Sequence, residues 1–130
     1  MRTDLRYLKD LGQVNDQSKE KNVAHALRLI DEAPPSDLIL LPEIWPCGFF
    51  SFDRYQRDSE AIDGPIVTEF RKAALNRKCH IFMGSMVEND NDHLYNTSIL
   101  LNPEGQIAAR YRKIHLFGYQ SKEATLLEPG

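Results

Sequence analysis

The sequence predicts an α/β fold whose sheet carries some antiparallel pairing. Three observations point there. Two short, branched, apolar runs, "LILL" (38–41) and "CHIFMG" (79–84), are bounded by chain breakers. Each follows a segment with helical apolar spacing. The segments "LYNTSILLN" and "QIAARYRK" are joined by "NPEG", a hairpin-like connection with glycine at its end. The resulting order is helix, strand, helix, strand, strand, strand.

Residues 1 to 17 carry little apolar pattern. Leu5, Leu8 and Leu11 recur at three-residue steps, which hints at a short helix. From Ser18 a longer helix is expected, because Val23, Ala26, Leu27 and Ile30 follow the i, i+3, i+4, i+7 pattern. "APPSD" stops it, since proline lacks the N–H and clashes with the preceding turn. "LILL" then reads as a fully buried strand. "DGP" (63–65) announces a second helix with Pro65 at its first position, and Ile66, Phe70, Ala73 and Ala74 give it one apolar face. "CHIFMG" is the next buried strand, closed by Gly84.

A chain of 130 residues makes one domain or part of one. With 42% hydrophobic and 27% charged residues it has the composition of a soluble globular protein. A net charge of −3 without a basic run argues against nucleic acid or an anionic membrane as partner. No apolar run approaches the ~20 residues of a membrane span. "MRTDLRYLKD" lacks the apolar core of a signal peptide, so the cytoplasm is the default compartment. Cys47 and Cys79 share no metal or redox spacing and read as free thiols.

Two charges stand where buried strands meet loops. Glu43 follows "LILLP" and precedes Ile44 and Trp45; Lys113 ends "RYRK" and precedes Ile114, Leu116 and Phe117. A buried carboxylate costs several kcal/mol unless paired or protonated. Ligands of α/β sheets collect at strand ends, so the acid and the lysine are candidates for one site. The plainer reading makes both solvated surface charges.

"LILLPEIWPCGF" and "YRKIHLFGYQSKEATLLEPG" resemble the first two signature blocks of the nitrilase superfamily, the carbon–nitrogen hydrolases. "IDGPIVTEFRKAALNRKCHIFMGS" and "YNTSILLNPEGQIAARYRK" resemble the segments between and before them. The likeness runs over residues 18–130, leaving 1–17 as an atypical start to a partial domain spanning 1–130. It implies half of a four-layer αββα sandwich, with the first strand in doubt because "LRYLKDLGQVND" does not look like the family's apolar opening strand. It implies hydrolysis of non-peptide C–N bonds in small linear amides by a Glu–Lys–Cys triad. Glu43 takes the place of the family's glutamate, Lys113 that of its lysine and Glu123 that of a second, supporting glutamate. On that reading Glu43 sits in an apolar setting because it must act as a base. No metal or organic cofactor is implied, and the family commonly forms homo-oligomers.

The resemblance places the nucleophilic cysteine in a "CYD"-like motif after "PG", beyond Gly130. Neither resident cysteine matches it. Cys47 lies close to Glu43 in sequence, and Cys79 reads as a small core hydrophobe. Asn96 is a candidate for fixing a turn or strand end, and His115 for packing or lining a pocket. Trp45, Phe49 and Phe50 suit a pocket wall or ordinary core, and the Phe49–Phe52 cluster also suits a face turned to a partner subunit. The two functions in competition are therefore an amidase-type hydrolase and a catalytically inactive module that binds ligand or associates with another chain.

Overall fold

The computed structural model describes residues 4–8, 17–119 and 121–130. Among these residues one mixed sheet holds six strands: β1 (Leu5–Tyr7), β2 (Leu38–Leu40), β3 (His80–Phe82), β4 (Met86–Asp90), β5 (His93–Leu101) and β6 (Ile107–Arg112). The helices are α1 (Lys19–Glu32), α2 (Tyr55–Asp58), α3 (Pro65–Arg77) and α4 (Glu123–Leu126). β1, β2 and β3 are parallel neighbours. The long β5 runs antiparallel to β3 and β4 along one edge and to β6 along the other.

Local chemistry accounts for the helix limits. Ser18 caps α1 by accepting the Lys21 amide at 3.3 Å, and the prolines after Ala33 stop it. Pro65 opens α3, where Glu60 Oε1 takes the otherwise orphaned Ile66 amide at 2.8 Å. Lys78 in the left-handed region (φ 52°) ends that helix.

The periodicity decides which side of the sheet is covered. Ile39, Ile81 and Leu101 share one register row and, with Ile99, pack against Ala26 and Ile30 of α1 and Phe70 and Ala74 of α3. The adjacent row, Tyr7, Leu40, Phe82, Leu100 and Ala109, points to the other side. No helix of the described residues packs on it as α1 and α3 pack on the first face. Tyr7 and Ala109 are exposed there, and the three between them are half-buried.

Two expectations are corrected. Leu5–Tyr7 is a strand rather than a helix: it pairs with Leu38–Leu40, and its three side chains are exposed, so edge pairing and not apolar periodicity fixes it. Leu11, the third leucine of the expected helix, lies outside the described residues. β4 escapes the sequence pattern because Glu88 interrupts its apolar run. That carboxylate is nevertheless buried, accepting from Arg112 Nε and Nη2 at 3.1 and 2.7 Å and from Thr97 Oγ1 at 2.6 Å. Arg112 in turn stacks over the Tyr95 ring, 3.9 Å from its centroid.

Burial alone pushes the Glu88 carboxyl upward, but the bonds from Arg112 and Thr97 outweigh it and hold the acid below its usual range. A depressed folded pKa contributes stability above the unfolded value, and that stability is lost as pH falls through the folded one. Urea melts from about pH 6 down to about pH 2 should therefore show a shallower acid loss in Glu88→Gln than in wild type. Arg112→Met, which strands a buried charge, should cost about 3–5 kcal/mol at neutral pH.

Gly84 joins β3 to β4 at φ 61°, and a Cβ there would run into the carbonyls of Leu41 and Pro42. Gly84→Ala combines left-handed strain with a clash against backbone. It should destabilise by about 3 kcal/mol or more in the same melts, with Gly84→Asn no better because the obstruction is steric.

Candidate functional site

The carboxyl ends of β2, β3 and β6 lie along one edge, where the topology collects loops. Glu43 follows β2, Ser85 follows β3, Lys113 follows β6, and Asn96 stands in the half of β5 that reaches this edge. Glu123 opens α4 and arrives from the loop after Lys113. The three acid and base residues singled out in the sequence thus meet. Lys113 Nζ donates to Glu43 Oε1 at 2.9 Å and to Glu123 Oε1 and Oε2 at 3.2 and 3.1 Å.

The segment that carries Glu43 is zipped to the β3–β4 connection. Ser85 N donates to Pro42 O at 3.1 Å, Ile44 N to Ser85 Oγ at 2.9 Å, and Trp45 Nε1 to Met83 O at 2.9 Å. Ile44 has φ 46°, a conformation a β-branched residue enters only when its surroundings hold it there. The sharp turn buries Ile44 and Trp45 while Glu43 projects outward, its side chain 48% exposed. The expectation of an apolar setting for Glu43 is therefore corrected. The backbone around it is buried, but the carboxylate stands at the open side of the sheet, in a cleft of about 240 Å³ shared with Phe82, Asn96, Tyr111 and Lys113.

The buried acid of the site is Glu123, whose side chain is fully shielded from solvent. Its oxygens accept from Lys113, from Asn96 Nδ2 at 2.8 Å and from the Phe117 amide at 2.7 Å, so the desolvated charge is met on several sides. Burial acts to lower the Lys113 pKa. The hydrogen bonds to Glu43 and Glu123 prevail and raise it above its ordinary value, so the side chain is an ammonium across the neutral range. A fixed ammonium can stabilise an oxyanion, and a carboxylate beside it can accept a proton.

Other candidates fall outside the cleft. Cys47 is buried, and burial together with the Asp58 carboxylate pushes its thiol up to about 12, which makes it a poor nucleophile at neutral pH. Cys79 is also buried. Trp45 packs on Phe70 with ring centroids 5.3 Å apart, as core and not as pocket wall. Phe49, Phe50 and Phe52 pack edge to face on one another, and Lys113 Nζ lies 5.9 Å from the Phe49 ring. His115 is exposed. Ser85 and the bonding of Asn96 were not legible in sequence; the one available signal for Ser85 is its place directly after the strand-closing Gly84.

Among the described residues no group of side chains is arranged to hold a metal ion, and no helix is long and apolar enough to cross a membrane.

The sequence and the fold have counterparts in known proteins. The family model described as carbon–nitrogen hydrolase matches residues 11–130. A 2-oxoglutaramate amidase of Paenarthrobacter nicotinovorans is 30% identical over 115 residues, which are 85% of this chain and 39% of that protein. A chloroplastic omega-amidase of Arabidopsis thaliana is 36% identical over 106 residues, 76% of this chain and 28% of the relative. Among solved structures, a member of branch 10 of the nitrilase superfamily from Saccharomyces cerevisiae superposes with a TM-score of 0.72 at 28% identity, covering 89% of this chain and 45% of that one. A carbon–nitrogen hydrolase superfamily protein of Xanthomonas campestris gives 0.81 at 24% identity, over 100% and 47%. The chain thus spans less than half the length of these relatives, and its sheet and helices form a partial nitrilase fold. A family match running through the Glu43 turn, the Lys113 strand end and the Glu123 loop makes this chain a member of the carbon–nitrogen hydrolase family.

Proposed function

We propose that the protein carrying this chain hydrolyses the C–N bond of a small linear amide, with Glu43, Lys113 and Glu123 in the catalytic machinery and the nucleophilic cysteine on a segment that follows Gly130. The observation that carries this reading is the Lys113 ammonium within hydrogen-bond reach of two carboxylates at one sheet edge. Relatives named as 2-oxoglutaramate amidase and omega-amidase support the amide class. A second feature supports the place of the nucleophile: Gly130 N donates to Lys113 O at 3.0 Å, so a residue that follows enters beside the lysine.

The chemistry follows from the charges. Glu43 takes the thiol proton as sulfur bonds to the amide carbon, and the carbonyl π electrons move onto oxygen, where Lys113 stabilises them. The C–N bond then breaks, and the proton held by Glu43 leaves with the nitrogen as ammonia or an amine. Glu43 next deprotonates water, which attacks the acyl-thioester. Collapse releases the carboxylic acid and returns the proton to sulfur. Glu123 keeps the lysine in place and its charge balanced.

A second reading, association with another chain, is favoured by the uncovered row Tyr7, Leu40, Phe82, Leu100 and Ala109. The two readings are separable. Residues 1–130 alone should release no ammonia from a panel of linear amides, and light scattering should find them associated through that face. Ammonia release abolished by Cys47→Ala would move the nucleophile to Cys47 and overturn the assignment.

In the protein as its gene encodes it, Lys113→Ala should lower kcat about 10²–10³-fold. Glu123→Gln should reduce turnover through the lysine it holds. Unchanged kinetics in Glu123→Gln would return that acid to a purely structural role.

A further inference from the structure

Lys113 bonds to two acids, Glu43 at the cleft and the buried Glu123 behind it, and a neutral group bonds to both acids as well. The Asn96 side chain is buried, with the residue 3% exposed. Its Nδ2 donates to Glu43 Oε1 at 2.9 Å and to Glu123 Oε1 at 2.8 Å, which uses both amide hydrogens. Both neighbours are acceptors, so nitrogen and not oxygen must face them. The backbone carbonyl of the same residue accepts Lys113 N at 2.8 Å. One residue of β5 therefore grips the lysine by its main chain and both acids by its side chain.

The two donors on Glu43 Oε1 differ in kind. Lys113 is a charged group on a flexible stem, whereas the Asn96 amide is neutral, does not titrate and is held in a strand. The other oxygen of Glu43 has no hydrogen-bond partner among the described residues. Resting on the hydrolase reading above, we propose that Asn96 is a positioning residue for the reaction. It clamps one oxygen of Glu43 so that the other is presented to the reacting proton, and it holds Glu43 and Glu123 side by side while Lys113 turns an N–H toward the oxyanion. An arginine or lysine at this place would neutralise the base. An apolar residue would leave the two adjacent acids to Lys113 and, for Glu123, the Phe117 amide.

The test uses the protein as its gene encodes it, with Asn96→Leu and Asn96→Asp, which have nearly the volume of asparagine, and with Lys113→Ala as a reference. Two quantities are read: the carboxyl ¹³C titrations of Glu43 and Glu123, and the pH profile of kcat/KM for amide hydrolysis. In Asn96→Leu the carboxyl midpoints and the acid limb of the profile should both move up by about one pH unit. The value of kcat should fall about 10–100-fold with KM little changed. Asn96→Asp, which keeps the shape but replaces the donor with a third acid, should fail at least as badly at neutral pH. A residue needed only for packing would shift the melting temperature and leave the midpoints and the acid limb where they are, and that result in either variant's folded protein overturns the proposal. If Lys113→Ala turns over the amide like wild type, the hydrolase reading fails, and with it the positioning role in catalysis. If Lys113→Ala is inactive while Asn96→Leu keeps its acid limb, the positioning role alone falls.

Discussion

Everything at this sheet edge depends on a single ammonium shared between two carboxylates. A fully shielded Glu123 is tenable only with charged and hydrogen-bonding partners, since an unpaired buried carboxylate costs several kcal/mol. Lys113, Asn96 and the Phe117 amide supply them. That requirement fixes where four segments go: the end of β6 brings the lysine, the middle of β5 the asparagine, the loop before α4 the amide, and α4 the acid itself. Glu43 then joins a cluster already assembled, borrowing the same lysine and the same asparagine.

Backbone delivers Glu43 to the cleft, where the bonds from Asn96 and Lys113 then orient its carboxylate. The turn at Ile44 lies in a region that costs a β-branched residue about 1–3 kcal/mol, and it persists because Ser85, Met83 and Pro42 are bonded across it. Gly84 permits that approach, because any Cβ there would occupy the space of the Leu41 and Pro42 carbonyls. Strain held at one residue and closeness allowed by one glycine thus combine to push a charged side chain out of a buried strand end.

The covered half of the fold was legible because apolar spacing reports on it directly. Val23, Ala26 and Ile30 mark α1, and the branched runs mark β2 and β3. What escaped is what apolar spacing cannot encode. β1 exists through backbone pairing at an edge while its side chains face solvent, and β4 hides a buried acid whose partner, Arg112, is twenty-four residues away. The charges of the site were visible as acid and base at strand ends. Their environments were not: sequence suggested a shielded Glu43, whereas the shielded acid is Glu123. Burial of a side chain in a loop is set by the direction of the turn, and the left-handed Ile44 has no signature in residue type.

The cleft and the uncovered sheet face are one surface. Phe82 belongs both to the apolar row and to the cleft lining, and Tyr111 continues the same side of β6 toward Lys113. Lys113 and Glu43 are now 28% and 48% exposed, so water weakens their interaction with each other and with any developing charge. A layer laid over the apolar row would shut the same water out of the cleft and strengthen the ammonium's hold on an oxyanion. Relatives about twice as long as this chain have the length for such a layer. Covering the face and drying the cleft are in that case one physical event, because the apolar row and the charges at its edge belong to one surface.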